Sequence, residues 1–174
     1  MTMADLRRVA AGDLAPILAA FRALPWPCER PQLLALAEQL GWQVVLDRRK
    51  GIDVETGLPV TPDRGNALLP GDGSAVGQVQ LYLTDRTDEG AGLDAAYGAL
   101  VADVTGQLGE PTAVQPARAR TSWDLATGGR LSVARLEKVV ILDVLGRDYA
   151  DIERAESAQA IDPDRVVATE ADPV

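Results

Sequence analysis

The stretch "WDLATGGRLSVARLEKVVILDVLG", residues 123–146, constrains the fold more than any other. Its β-favouring runs follow one another almost without a break, and "TGG" reads as a hairpin turn. Connections that short join antiparallel neighbours, because a parallel return needs a crossover of a dozen residues or more. "KVVILDVL" (138–145) is apolar enough for a central strand. An antiparallel sheet is therefore the frame, and a doubly wound nucleotide-binding sheet is disfavoured. "WQVVLD" (42–47) and "VGQVQLYLT" (76–84) extend it with period-two alternation, Trp42, Val44 and Leu46 sharing one face. A short strand fits Ile52 to Glu55, and residues 58–75, dense in Gly, Pro and Asp, read as a loop.

Helices supply the covering layer. Asp13 can cap a helix over 14–24, "LAPILAAFRAL". "ERPQLLALAEQL" (29–40) places Leu33, Leu36, Ala37 and Leu40 on one stripe, with Gly41 where a left-handed cap belongs. The strongest periodicity runs through Leu93, Ala96, Tyr97, Leu100, Val101, Val104 and Leu108, the helix expected to cover the sheet. A short acidic helix, "RDYADIERAE", closes the domain. The expectation is an α+β fold of order ααβββαβββα, a single antiparallel sheet of five to six strands with helices packed on one face. Residues 1–156 form that domain, and 157–174, "SAQAIDPDRVVATEADPV", form an acidic flexible tail.

The formal net charge is −9, and residues 148–174 carry eight acids against Arg154 and Arg165. Such a surface repels nucleic acid and anionic membranes and attracts a basic partner. No run of about 18 apolar residues could span a bilayer, and the N-terminus lacks the pattern of a signal peptide, so a cytoplasmic protein is expected. The chain has no histidine and one cysteine. No internal disulfide can form, and neither a metal nor a cofactor is expected.

The chemistry-bearing motifs are few. "GDGSAVG" (71–77) has the glycines of a phosphate cradle but precedes a strand, where such a loop must open a helix. There is no "GxSxG" elbow, and without histidine the usual base for a nucleophile is missing. Cys28, beside Glu29, is expected to be inert. Asp53 with Glu55, and Asp85 with Asp88, are the carboxylate pairs a histidine-free hydrolase would need, although turns and caps favour Asp at 85 and 88 anyway. Trp42 and Trp123 suit the core, whereas Trp26 in "PWP" can serve as an exposed anchor.

If Val140, Leu142 and Val144 face the long helix, Val139, Ile141 and Asp143 face away, together with Val45, Gln80 and Tyr82. That mixed face suggests cover by the N-terminal helices or contact with another chain, including a second copy. The candidate partner-binding residues are Trp26, Tyr82 and Ile141 as anchors, with Asp47, Asp143, Asp148 and Asp151 as steering acids.

"LAEQLGWQVV", "GIDVETGLPV", "VQLYLTD", "LVADVTGQLGEP" and "WDLATGGRLSVARLEKVVILDVLGRDYADIE" together resemble an uncharacterised actinobacterial family of small acidic domains. Several such families are similar in setting to immunity proteins, which neutralise a toxin by binding it. The element order also resembles type III secretion chaperones, with an added N-terminal helix and an extra strand. These resemblances imply a non-enzymatic protein binder, an immunity protein first and a secretion chaperone second. A carboxylate hydrolase is the rival of a different class.

Overall fold

The computed structural model describes residues 5–158. Helix α1 (Ala11–Ala23) begins earlier than expected, with Ala10 at its N-cap and Asp13 inside the first turn. Helix α2 (Arg30–Gln39) starts with a reciprocal cap between Glu29 and Gln32 and ends at Gly41, whose φ of 72° is the left-handed conformation. Four strands follow: β1 (Gln43–Arg48), β2 (Gly51–Glu55), β3 (Arg64–Leu68) and β4 (Gln78–Tyr82). Helix α3 (Gly90–Leu108) then carries the chain to β5 (Ala113–Gln115), β6 (Arg120–Asp124), β7 (Arg130–Arg135) and β8 (Val140–Leu145). Helix α4 (Arg147–Ala158) completes the described residues. Among the described residues no helix is long and apolar enough to cross a membrane.

All eight strands form one antiparallel sheet in the order β1-β2-β3-β4-β8-β7-β6-β5. The α+β class and the antiparallel frame hold, but the strand count and element order are corrected. Two strands were not foreseen: β3, inside the expected loop, and the three-residue β5. The order is thus two four-stranded meanders, each running from an edge to the centre, meeting where β4 pairs with β8.

One face of the sheet carries Ile52, Val54, Ala67, Val79, Leu81, Leu131, Val133, Val140, Leu142 and Val144. Onto it pack Leu14, Ile17, Leu18 and Phe21 of α1, Leu33, Leu36 and Ala37 of α2, and Leu93, Ala96, Leu100 and Val104 of α3. These apolar stripes bury because each is helical in period and faces strands of period two. The hydroxyls of Tyr97 and Thr121 meet at 2.7 Å, so α3 also has a polar tie to the sheet.

The other face departs from the expectation of helices on one face only, and from cover by the N-terminal helices. The N-terminal helices do not cover it; α4 does, lying across β6 and β7, so the helices occupy both sides of the sheet. The N-terminal meander keeps this face uncovered. At its edge, β1 departs from strict alternation: a register shift between Val44 and Leu46 leaves Val45 as the extra residue of a bulge. Val44, Val45 and Leu46 are all exposed there.

Candidate functional site

The α4-covered face is polar where most sheet interiors are not. Cross-strand register lines up Arg120, Ala134, Ile141 and Tyr82 in one row, and Ser122, Ser132, Asp143 and Gln80 in the next. Asp143, 1% exposed, is the centre of this floor. Its Oδ2 accepts two N–H bonds from Arg120, at 2.9 and 2.8 Å, and its Oδ1 accepts one from Gln78 Nε2 at 2.7 Å. Burial pushes the Asp143 carboxyl above the usual Asp range, against the Gln78 hydrogen bond and the charge of Arg120. Beside it the hydroxyls of Ser122 and Ser132 bond to each other at 2.7 Å.

Helix α4 closes over this floor through charge. Glu153 reaches Arg130 at 3.2 Å and Arg120 at 3.8 Å. Arg154 donates to Asp124 at 2.9 Å, to its own neighbour Asp151 at 2.7 Å, and to the carbonyls of Gly128 and Gly129. Arg130 also holds Asp124, at 2.8 Å. Burial works against ionised Asp124, but the hydrogen bonds from Arg130 and Arg154 outweigh it and hold its carboxyl below the usual range. Satisfying each buried charge in this way is what makes such a network tolerable.

The sequence-derived candidates separate under this geometry. Trp26 is 6% exposed, laid over the backbone of Gly129 and Gly146, where a Cβ on Gly129 would collide with the indole Nε1. It is a core residue here, which corrects its reading as an exposed anchor. Ile141 is 1% exposed and packs with Ala134, Val139 and Tyr82, so it too is no ready contact. Asp143 is equally shielded, and a charge held by Arg120 beneath a helix cannot steer a partner. Tyr82 remains half-buried at the end of β4. Asp47 lies on β1 at the sheet edge, paired with Arg30. Asp148 and Asp151 are exposed on α4.

Between Asp148 and Glu156, the acids one helical turn to either side, lies a residue that carried no role in the sequence reading. Ile152 is 55% exposed, four residues from both Asp148 and Glu156, so all three share the outer side of α4. The helical spacing was visible in "RDYADIERAE". What it lacked was any sign that α4 would bury its charged side and leave the isoleucine outside.

The carboxylate pairs do not converge. Asp53 and Glu55 alternate along β2 on the uncovered face. Asp85 accepts from Arg7 Nε at 3.0 Å and from the Thr61 N–H at 2.8 Å, tying the N-terminal arm to the 58–62 loop. Exposed Asp88 pairs with Lys138 at 2.7 Å. A cleft of about 390 Å³ opens at the start of α4, lined by Trp26, Pro27, Pro70, Val76 and Tyr149 with Asp148 at its rim, and none of the four acids reaches it. Among the described residues no group of three or more Asp, Glu, Cys or His side chains could hold a metal ion. The glycine-rich segment is a turn, in which Asp72 accepts from the Ser74 N–H and hydroxyl.

Cys28 is fully buried, and burial, with Glu29 beside it, pushes its thiol up to about 11. We expect a maleimide at pH 7 to leave the native protein unlabelled over the minutes in which the urea-unfolded chain reacts completely. Comparable labelling of both would show that the segment around Pro27 opens readily.

Among the described residues these features define an α+β fold with one eight-stranded antiparallel sheet, three helices sealing its apolar face and a fourth clasping its polar face by ion pairs. The chain belongs to a family of unknown function, DUF6301, whose model matches residues 12–146 and so ends immediately before α4. No curated protein and no solved structure matches the chain.

Proposed function

We propose that the protein is a non-enzymatic binder of the immunity type, covering and so neutralising a basic toxin or effector. The observation that carries this reading is the outer side of α4, where Ile152 stands between Asp148 and Glu156, with exposed Asp151 next to it in the chain. An apolar side chain flanked by acids suits a partner that offers a pocket bordered by Lys or Arg. The acids raise the rate of encounter and the isoleucine slows escape. Steering by Asp148 and Asp151 is thereby retained, while the anchor moves from Ile141 to Ile152.

The test uses the product of the neighbouring reading frame as candidate partner, with binding followed by surface plasmon resonance. Association should slow as salt rises, because exposed charges act over a Debye length of about 8 Å at physiological ionic strength. Charge reversal of Asp148 and Asp151 to Lys should lower the on-rate about tenfold, whereas Ile152→Asp should speed dissociation and cost more than about 2 kcal/mol. A partner that binds without salt dependence and ignores both changes would overturn the reading.

A secretion chaperone is the second reading, favoured by the β1 edge. Its unpaired backbone groups lie beside exposed Val44, Val45 and Leu46, and an edge of that kind can take an extended segment of an exported protein as a further strand. Binding abolished by a proline at Val45 and untouched by changes on α4 would select it.

A further inference from the structure

The ion pairs beneath α4 divide into two sets that are each complete without the other. On the floor, Arg120 holds Asp143 and Arg130 holds Asp124. On the helix, Arg154 holds Asp151. The links between the sets are Glu153 to Arg120 and Arg130, Arg154 to Asp124 and to the Gly128 and Gly129 carbonyls, and the weaker bond between Gln115 and Ser157 at 3.3 Å. If the helix lifts, each floor arginine keeps one carboxylate, and Glu153 passes into water. No buried charge is stranded, so the usual cost of breaking a buried pair does not apply.

Apolar packing adds little to hold α4 down. Its one buried residue is Ala150, and Ile152 faces solvent. The first turn is the better anchored part, because the ring of Tyr149 lies against Gly77 and Ala150 bonds back to Gly146. From Asp151 to Ala158 the attachment is through charge and a few hydrogen bonds.

We propose that residues Asp151–Ala158 of α4 form a strap that lifts from the folded sheet as one unit, pivoting on the first turn, and that lifting opens a carboxylate-binding site between Arg120 and Arg130. Both guanidinium groups face the position that Glu153 vacates, with the Ser122 and Ser132 hydroxyls beside them. The ligand that fits is a carboxylate on an acidic protein segment, one that replaces Glu153. This inference is independent of the basic partner proposed above and is tested without it.

The experiment is native-state hydrogen exchange on the full chain, read residue by residue by NMR. Amides across 151–158 should share one opening equilibrium and exchange at least about a hundredfold faster than those of β7 and β8. Glu153→Gln removes one charge-assisted link and should speed all of them by a common factor of about ten, with β7 and β8 unchanged. Ile152→Asp, on the outer side, should leave the rates alone. An acidic peptide added to the Glu153→Gln protein should shift the Arg120 and Arg130 guanidinium resonances, and the peptide with its acids amidated should not. Exchange graded smoothly from Ala158 inward would show ordinary end fraying and overturn the strap. So would exchange of 151–158 only at the rate of β8. Common opening with no response to the acidic peptide would overturn the carboxylate site.

Discussion

Replacing Asp143 with alanine is expected to cost about 3 kcal/mol or more and to lower the melting temperature by roughly 10 °C. The carboxylate is the one group that Arg120 and Gln78 both bond at the centre of the polar floor. Without it, a mostly buried guanidinium keeps only the more distant Glu153, and the half-buried Gln78 amide loses its acceptor. Asp143→Asn separates charge from shape, since the amide oxygen can still accept from Gln78. The pH dependence has a definite sign. Because the folded-state carboxyl lies above its ordinary value of 3.8, the native protein takes up this proton before the unfolded chain does. Asp143 therefore favours the fold in its protonated form, and that contribution is lost as pH rises through its raised value. Asp85 and Asp124 work the other way: held low, they favour the fold above the ordinary Asp value and lose that effect as pH falls. The Asn variant, lacking the gain on protonation, should lose stability more steeply than the parent between neutral pH and about pH 4. Parallel urea midpoints for the two proteins across that range would contradict the assignment.

A loss of about 3 to 5 kcal/mol is expected for Phe21→Ala. Phe21 is fully buried where α1 meets the core, its ring tilted at 44° to that of Trp42 with centroids 6.4 Å apart. Truncation opens a void between α1 and Trp42, whose positions are fixed by the surrounding core, so collapse cannot refill it. Phe21→Leu should recover most of the loss. Near-ultraviolet circular dichroism supplies an independent readout, because removing the neighbouring ring changes the asymmetric surroundings of Trp42. A cost under about 1 kcal/mol with an unchanged spectrum would show that the contact is not tightly packed.

Where the chain announced its elements, it did so through period. Leu33, Leu36 and Ala37 marked α2; Leu93, Ala96, Leu100 and Val104 marked α3; Val140, Leu142 and Val144 marked the buried face of β8, and all lie in the core. Strand β3 escaped because "RGNAL" turns only Gly65 and Ala67 inward. A Cβ on Gly65 would run into the Leu81 side chain, so the strand exists by being small where its neighbour is large. Three-residue β5 is too short to show a period at all. The bulge at Val45 is likewise invisible in a run that alternates well on paper.

The site was less legible for a different reason. Asp143 was placed correctly on the face opposite α1, α2 and α3, and of the neighbours named for it Gln80 and Tyr82 are there, whereas Val45 sits in the bulge of the edge strand β1. Its burial depends on α4 returning over β7 and β6, which depends on Arg120, Arg130 and Glu153 finding one another across 33 residues of chain. Local pattern carries no trace of such long-range pairing. The acidic tail assigned to 157–174 falls, beyond Ala158, outside the described residues.

The junction of the two meanders governs how this chain must assemble. Within each meander every strand pairs with its sequence neighbour, so those ladders are local and quick to form. The β4–β8 ladder instead joins Tyr82 to Ile141 and Gln78 to Leu145, closing a loop that contains α3 and three of the eight strands. Until it zips, β4 and β8 are both open edges, and β8 is the most apolar strand in the molecule. A newly made chain therefore passes through an interval in which its stickiest segment faces the crowd around it.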